Sequence, residues 1–372
     1  MDRNLDYVIL PSNKRLCLKV MRITFNILIK YILLFCILSS QDLDDLSYGS
    51  INTLDIATWN IEWFPKNDQI TVDNVIQVIL QLDLDIIAIQ EVDDIASFDQ
   101  MLALLPSYLG YYESDWFAGL AFIFNNQTIS INNIYEIYTT SSYWSPFPRS
   151  PMIMDFEYRG ENYFIINNHF KCCGDGILDL NDNSDEENRR YIAINLLKEY
   201  IENNLNESNV ILLGDLNDDI AEVAPNNIFQ NVLNDSLNYR FADLYIASGD
   251  VNDWSFPNWP SHLDHILISS GLFDRIIPHF TSTIKIDNYL SGGWNEYDLN
   301  ISDHRPVAIK ILPEISLRFD INNDSEISFL DLEILILDVL NDDTYQIEFD
   351  FNFDSKVNLM DILKLKEIIL DN

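Results

Sequence analysis

Positive charge is scarce in this sequence. The 372 residues include 22 lysines and arginines against 59 aspartates and glutamates, which gives a formal net charge of −37. A protein that covers nucleic acid with a basic surface is therefore excluded, because such a surface needs an excess of lysine and arginine. Any phosphate-bearing ligand must be met by a local cationic group or by bound metal ions.

Cysteine is also rare. Four cysteines are too few for a disulfide scaffold, and the N-terminal segment that contains Cys17 and Cys36 is expected to be removed. This leaves the adjacent pair Cys172 and Cys173. Neighbouring Cα atoms lie about 3.8 Å apart, less than the usual disulfide span, so a bond between these two residues would be strained. A strained disulfide and two free thiols at the start of a loop both remain open.

No apolar run is long enough to cross a membrane unbroken. The most apolar stretch, residues 23–38, is interrupted by Lys30, whereas a spanning helix needs about 20 apolar residues. Arg22 precedes this stretch and two serines follow it, a pattern typical of a secretory signal. We expect residues 1–40 to be a signal-peptide region and no stable membrane span to remain after cleavage. An uncleaved anchor is the alternative, and either Met1 or Met21 is the start.

Short apolar runs alternate with helical patterns over residues 54–312. The helical spacing of apolar residues predicts helices over 72–82 and 191–201. Together the patterns predict strands packed into sheets with helices outside. The predicted strands are 54–61, 85–92, 119–125, 163–170, 209–216, 263–269 and 306–312.

Polar residues gather at the ends of these predicted strands. A single carboxylate at a strand end is most often a cap or turn residue, so the ordered set matters more than any member. Together the side chains would form one polar pocket with hard oxygen donors that suit Mg²⁺ or Mn²⁺ and with histidines for acid–base chemistry. The set comprises Asn60, Glu62, Glu91, Asn168, His169, Asp215, Asn217, Asp264, Asp303 and His304.

The order of the motifs WN-x-E, QE, N-x-H, GD-x-N and S-D-H closely resembles the endonuclease/exonuclease/phosphatase superfamily, and especially its deoxyribonuclease-like branch. The resemblance spans about residues 54–312, and we assign this domain to residues 50–313. It implies an α+β fold, a four-layer α/β/β/α sandwich, and metal-dependent hydrolysis of phosphate esters. In-line attack on phosphate needs an activated water and charge neutralisation, and Mg²⁺ or Mn²⁺ can supply the latter.

The resemblance also implies a metal-binding group and a phosphate contact. Glu91 matches the metal carboxylate, and Asn60 matches the asparagine beside the metal. Glu62 and Asp303 match acids that help to hold the ion. Arg149 fits an R-x-P element that contacts the substrate phosphate.

The catalytic roles follow from the same resemblance. Asp215 and Asn217 match the pair that orients the attacking water and contacts the phosphate. His304 matches the histidine on the scissile phosphate, and Asp264 orients it. His169 matches the second histidine of the deoxyribonuclease-like branch. Whether Asp215 or a histidine is the general base remains open.

The substrate is less tightly defined by sequence. A nucleic acid is the preferred interpretation, because the motifs resemble the deoxyribonuclease-like branch. The aromatic set Trp254, Phe256 and Trp259 could stack on bases or on a sugar ring, and it could equally be a packed loop. His262 is expected at the mouth of the pocket. The acidic stretch 174–190 is interpreted as a solvated loop, with a structural Ca²⁺ site or a cleft wall as alternatives. The alternative functions are a phosphomonoesterase, a sphingomyelinase-like lipid phosphodiesterase, and a surface-display protein with a vestigial catalytic domain.

The last part of the chain, residues 314–372, contains an acidic repeat. Residues 320–331 recur as 350–361, with oxygen side chains at loop positions 1, 3, 5, 9 and 12, and the spacing is that of a Ca²⁺-binding loop. Position 7, at Glu326 and Lys356, offers a backbone carbonyl. The predicted calcium residues are Asp320, Asn322, Asp324, Glu326, Asp331, Asp350, Asn352, Asp354, Lys356 and Asp361.

This repeat resembles a type I dockerin. It departs from the pattern at position 6, where Ser325 and Ser355 replace the usual glycine. The resemblance implies a small helical module that binds Ca²⁺ and a cohesin-like protein partner. With the predicted signal, it implies a bacterial protein that is secreted or attached to the cell surface.

Overall fold

The computed structural model describes residues 43–51, 53–112, 118–206, 208–276, 280–313, 319–322, 324, 326–341, 349–351 and 356–371. The predicted signal-peptide region lies outside these residues, as do the predicted calcium ligands Asn352 and Asp354. Within the described part of the chain, no helix combines the length and the apolar character that a membrane span requires.

The strands of the large domain are short and mostly buried. In chain order they are β1 (Leu54–Phe64), β2 (Ile86–Val92), β3 (Tyr108–Tyr111), β4 (Gly119–Asn125), β5 (Ile129–Glu136), β6 (Met152–Tyr158), β7 (Glu161–His169), β8 (Asn209–Asp215), β9 (Tyr239–Phe241), β10 (Asp264–Ser269), β11 (Ser282–Thr283) and β12 (Val307–Ile311).

The helices are fewer. They are α1 (Asp68–Leu82), α2 (Ile95–Ala103), α3 (Glu186–Asn204), α4 (Gln230–Leu233), α5 (Leu244–Ala247), α6 (Gly293–Asn300), α7 (Phe329–Asn341) and α8 (Leu359–Asp371). Short 3₁₀ turns are found at Leu43–Asp45, Ser141–Tyr143, Val251–Asp253, Ser270–Arg275 and Ile286–Tyr289.

The described strands form two six-stranded sheets. The first has the order β11-β12-β1-β2-β4-β3 and the second the order β5-β6-β7-β8-β10-β9. Side chains alternate across β1, so that Ile56 joins an apolar cluster with Met154 and Ile165 of the second sheet while Trp59 joins the opposite cluster. The sheets therefore pack face to face.

Helices cover the outer face of each sheet. Val75 and Ile79 of α1 belong to the same cluster as Trp59, and Ile194 and Leu197 of α3 belong to a third cluster with the strands of the second sheet. Each helix buries an apolar stripe against the strand side chains beneath it. The layers run helix, sheet, sheet, helix, which confirms the predicted α/β/β/α sandwich.

Strand pairing brings the polar residues at the strand ends to one edge of the two sheets. His169 at the end of β7 is in register with Asp215 at the end of β8, and Asp215 is in register with Asp264 at the start of β10. In the other sheet Asn60 is in register with Gln90, followed by a register shift. The tips of both sheets meet there, because the amide of Asn60 bonds Asp215 across the gap.

The two repeats of the C-terminal module contribute equivalent residues to one apolar core. Phe319 and Phe349 precede the two loops, and Leu335 and Leu365 lie on α7 and α8; all four are buried in one cluster. Helices α7 and α8 each begin at loop position 10, within the last residues of the loop.

Candidate active site

A cleft of about 380 Å³ lies at the edge where the strand tips meet. It collects predicted site residues that are far apart in sequence. Those that line it are Glu91, His169, Asp215, Asn217, Asp303 and His304.

Asn60 connects the two sheets at the base of this cleft. Its Nδ2 donates to Glu91 Oε1 at 3.1 Å and to Asp215 Oδ2 at 3.0 Å. The other oxygen of Glu91 accepts from the backbone N–H of Trp63. Glu91 has a φ of 67° beside the register shift of β1 and β2, a left-handed conformation that costs energy in a non-glycine residue and is found most often at functional sites.

Glu62 holds the segment that precedes the last strand. Its Oε2 accepts from the backbone N–H of Asp303 at 2.8 Å and pairs with Lys66. Lys66 also bonds Asp298 at 3.0 Å. Burial raises the pKa of Glu62. Its carboxylate is thus already engaged by a cation and a backbone donor, and it positions Asp303.

His304 is held by a buried carboxylate. Its Nδ1 lies 2.7 Å from Asp264 Oδ2, while its Nε2 points to the cleft, 3.8 Å from Asp215 Oδ2 and 4.0 Å from Asp303 Oδ1. Burial lowers the pKa of His304, but the charges of Asp264 and Asp215 outweigh burial and raise it to about 10. Burial raises the pKa of Asp215. His304 is therefore an imidazolium that can donate from Nε2.

His169 has the opposite electrostatic state. Its Nε2 lies 3.5 Å from Asp215 Oδ2 and 3.8 Å from Glu91 Oε1. Burial, followed by the positive charges of Arg149 and His304, holds its pKa well below the usual range. Arg149, the predicted phosphate contact, is half-buried and is not among the described residues that line the cleft. The cleft thus combines a neutral imidazole with a charged one.

The backbone of His304 is fixed by Tyr297, which lies outside the motifs, and by Ser302 of the S-D-H motif. Tyr297 Oη donates to the carbonyl of His304 at 2.6 Å and accepts from Trp59 Nε1 at 3.1 Å. Ser302 Oγ donates to the carbonyl of Asn60 at 2.7 Å and accepts from the His304 N–H. These bonds tie the loop before β12 to the tip of β1.

A second buried network lies behind the cleft. His265 Nδ1 lies 2.6 Å from Asp243 Oδ2, and its Nε2 lies 2.8 Å from the carbonyl of Asp218. Both partners only accept hydrogen bonds, so His265 carries two protons and a positive charge. Asp218 directly follows Asn217, and the network therefore supports the loop that carries the predicted phosphate contact.

The expectation that His262 lies at the mouth is wrong. The residue is buried, with Nε2 3.1 Å from Asp243 Oδ2 and Nδ1 accepting from the backbone N–H of Ser255. The loop before His262 folds over the residue. Both nitrogens of the His262 ring are therefore engaged in hydrogen bonds with the surrounding protein.

The aromatic set divides into packed and exposed members. Trp254 donates from its indole N–H to the carbonyl of Ile246, and the ring of Phe256 lies 4.8 Å from that of His304. Trp259 also lines the cleft but is 79% exposed. Its face is available to a ligand that enters the cleft.

Cys172 and Cys173 form part of the cleft wall as free thiols. Their sulfur atoms lie 2.9 Å apart.

The donor set fits a hard divalent cation. Glu91, Asp215 and Asp303 line the cleft, where His304 is their cationic neighbour, so the carboxylates exceed the positive charge. Glu91 and Asp303 are partly exposed to the cleft, with 13% and 25% of their side-chain surface accessible. Carboxylate oxygens of this kind are the preferred ligands of Mg²⁺ and Mn²⁺.

The C-terminal loops surround buried aspartates. Asp331 accepts from the backbone N–H groups of Asn322 at 3.1 Å and Ser328 at 2.7 Å, and Asp361 accepts from Asn358 in the corresponding way. Asp320 and Asp350 at loop position 1 are also buried. Glu326 is exposed and Lys356 is exposed, which agrees with a backbone role at position 7. Four buried carboxylates fit Ca²⁺ loops.

A four-layer sandwich with carboxylate, asparagine and histidine side chains at one edge defines a class of hydrolase that acts on phosphate esters. Residues 57–304 match the model of the Endonuclease/Exonuclease/phosphatase family, and the chain belongs to that family. Residues 318–370 match the dockerin type I domain, which confirms the second predicted resemblance.

Solved structures show the same fold. A D. rerio TDP2 complexed with single-strand DNA product is 15% identical, with a TM-score of 0.53, over 70% of this chain and 99% of that one. A humanized D. rerio TDP2 is 15% identical, with a TM-score of 0.52, over 70% and 99%. The human Nocturnin catalytic domain is 18% identical, with a TM-score of 0.49, over 70% and 93%. No curated protein matches this chain.

Proposed function

We propose that this protein is a secreted, metal-dependent nuclease that hydrolyses phosphodiester bonds and is tethered through its calcium-binding module. The observation that carries the proposal is the convergence of Asn60, Glu91, Asp215 and His304 on one cleft. Asp264 keeps His304 in one orientation from behind. A solvated cap or turn residue would not need these mutual contacts.

The proposed reaction requires a metal site and a donor to the phosphate, and different residues supply them. Glu91 and Asp303 would hold Mg²⁺ or Mn²⁺, with Asn60 orienting Glu91 and Glu62 orienting Asp303. The bound ion supplies charge neutralisation at the phosphate. His304 donates from Nε2 to a phosphoryl oxygen, where negative charge develops in the transition state.

The remaining groups act on water and on the substrate. Asp215 lies between His169, His304 and Asn60, and we assign to it the orientation of the attacking water and acceptance of its proton. Asn217, which follows it at the cleft with a φ of 55°, contacts the phosphate. Arg149 adds positive charge near His169.

Trp259 favours a nucleic acid over the other phosphate esters. Its exposed ring at the cleft offers a stacking surface for an unpaired base. A phosphomonoester or a lipid headgroup without a planar ring would gain little from it. The chain as a whole is acidic, so binding through a broad basic surface is not part of this proposal.

The C-terminal module has an exposed apolar pair at the start of each helix. Phe329 and Leu330 of α7 are 62% and 58% exposed, and Leu359 and Met360 of α8 are 62% and 55% exposed. These positions correspond across the repeat. We propose that one pair contacts a cohesin-like partner and thereby places the enzyme on an extracellular bacterial assembly.

A substrate panel tests the proposed activity. Purified protein is incubated with single-stranded DNA, duplex DNA, RNA, sphingomyelin and a small phosphomonoester, in Mg²⁺ or EDTA. We expect metal-dependent cleavage of nucleic acid and background rates on the others. Preferential hydrolysis of sphingomyelin or of the phosphomonoester would contradict the assigned substrate, and activity that persists in EDTA would contradict the metal role.

A further inference from the structure

The acidic loop between β7 and α3 contains a cluster of carboxylates outside the cleft. One oxygen from each of Asp175, Asp185 and Glu187 lies within 4.8 Å of the other two. Ca²⁺ binds oxygen ligands at about 2.3–2.6 Å, so two ligands on one ion can be about 5 Å apart. A single ion can therefore reach all three side chains without rearrangement of the loop.

Glu187 distinguishes this cluster from an ordinary solvated loop. The residue is 2% exposed, and its Oε2 is buried without a hydrogen-bond partner among the described residues. Its Oε1 accepts from the backbone N–H of Gly176 at 2.7 Å and pairs with Arg190 at 3.3 Å. A buried carboxylate oxygen that lacks any donor costs free energy unless a ligand compensates it.

The backbone is shaped around this carboxylate. Gly174 has a φ of +113°, and a Cβ at that position would lie 2.2 Å from Glu187 Oε1 and 2.6 Å from Oε2. Only glycine leaves this space free while adopting such a conformation. The start of helix α3 favours acidic residues through its dipole, which accounts for a half-buried acid such as Glu186 but not for a fully buried one.

Charge balance also points to a divalent cation. Arg190 is shared, because its Nε lies 2.8 Å from Asp218 Oδ2 while its Nη2 pairs with Glu187. One guanidinium cannot balance the three clustered carboxylates together with Asp218. The four carboxylates and one guanidinium leave a net charge of −3, which one Ca²⁺ would reduce to −1.

We propose that Asp175, Asp185 and Glu187 form a third Ca²⁺ site, separate from the catalytic cleft and from the C-terminal repeat. Its irregular loop setting suits Ca²⁺, whereas Mg²⁺ requires near-octahedral geometry at about 2.0–2.1 Å and retains water. The site also has a structural consequence for the cleft. Arg190 donates to the carbonyls of Lys171 and Cys173 and bonds Asp218, so an ion on Glu187 fixes the wall next to His169 and the loop after Asn217.

The number of Ca²⁺ ions bound per chain tests this site in the full-length protein. Equilibrium dialysis should give three ions for the wild type and two for Asp175→Asn/Asp185→Asn. Asparagine retains an oxygen that can accept the N-cap bond from Asn188, so the helix start is preserved. The matched control is Asp179→Asn/Asp182→Asn, because the described hydrogen bonds of these two carboxylates stay within their own turns, and it should still bind three ions.

A second variant keeps the proposal testable if the loop variant does not fold. Asp320→Ala/Asp350→Ala removes the first ligand of both C-terminal loops and should leave one ion bound. In this variant Ca²⁺ should protect the chain from proteolysis between residues 174 and 188, and a tenfold excess of Mg²⁺ should not displace it. Binding of no ion by this variant, or displacement by Mg²⁺, would overturn the proposal.

Discussion

The large domain and the C-terminal module both gather carboxylates, but they surround them differently. In the large domain Asp215 and Asp264 lie on neighbouring strands of one of the two packed sheets, and their partners are Asn60 and His304. Three apolar clusters stabilise this domain. In the module the aspartates of two loops converge on a single small cluster. From this difference we predict that a bound metal would serve chemistry in the first region and folding in the second.

Removal of Ca²⁺ should have the largest effect, and the loss of helices should be confined to the module. Without the ion, two buried aspartates remain in each loop, Asp320 with Asp331 and Asp350 with Asp361, and a module of this size has little core to offset the cost of their burial. We expect the module to lose its helices in EGTA. Limited proteolysis should then release a stable fragment that ends near Pro313. Equal resistance of the module with and without Ca²⁺ would break the comparison.

Substitutions at His304 should affect chemistry and leave the fold of the large domain intact. Removal of a hydrogen-bond donor that stabilises charge in the transition state costs about 10²–10³-fold in rate, so His304→Ala should lower kcat by that amount with little change in KM. Asp264→Asn should cost less, because it removes only the orienting partner.

Glu157→Gln is the control, since Glu157 lies on β6, is exposed and does not line the cleft. If His304→Ala and the control had equal kcat, the assignment of His304 would be wrong.

The buried pair behind the cleft should contribute stability with a defined pH dependence. Burial raises the pKa of Asp243, but His265 and His262 outweigh burial and lower it below its usual range. Burial lowers the pKa of His265, but Asp243 outweighs burial and raises it. The stabilisation is therefore complete between about pH 4 and pH 6.5. It is lost as the pH rises through the elevated pKa of His265.

Asp243→Asn should thus destabilise the large domain by about 3–5 kcal/mol, the usual cost of breaking a buried ion pair. Thermal unfolding in excess Ca²⁺ should show the largest gap between variant and wild type near pH 5.5 and a smaller gap at pH 9. A gap that widens with increasing pH would show that His265 is not charged in the folded protein.

The smallest effect is expected at the rim of the cleft. Stacking of a base on an aromatic ring contributes about 1–3 kcal/mol, so Trp259→Ala should raise KM for single-stranded DNA about 5- to 150-fold with kcat unchanged. Leu237→Ala is the control, because Leu237 is 84% exposed and does not line the cleft. An unchanged KM in Trp259→Ala would remove the argument for base stacking.

Sequence patterns predicted the fold where strands are apolar throughout. The strand over 119–125 has the predicted bounds, and those over 209–216 and 263–269 differ by one residue. Strand β5 was missed because most of its side chains are exposed or half-buried, which leaves no continuous apolar run. Strand β11 has two residues, too few to produce a pattern.

The candidate site was predictable to the extent that it lies at strand ends. Asp215 and Asp264 were identified because they border apolar runs. Tyr297 was not, because it lies in no motif and its contact with Trp59 of the WN-x-E motif joins positions 238 residues apart. The partners of His265 could not be predicted, because they come from separate segments of the chain. The position of His265 among the apolar residues of DHILIS does indicate a polar side chain that points inward.

The most direct test of the catalytic assignment compares wild type with Glu91→Gln on a single-stranded DNA substrate at constant Ca²⁺ and increasing Mg²⁺. Loss of a metal carboxylate removes several kcal/mol of transition-state stabilisation, so the wild-type rate should rise with Mg²⁺ while Glu91→Gln stays at least about 10³-fold lower with the same circular dichroism spectrum. A wild-type rate independent of Mg²⁺, or a folded Glu91→Gln protein with the wild-type rate, would contradict the account.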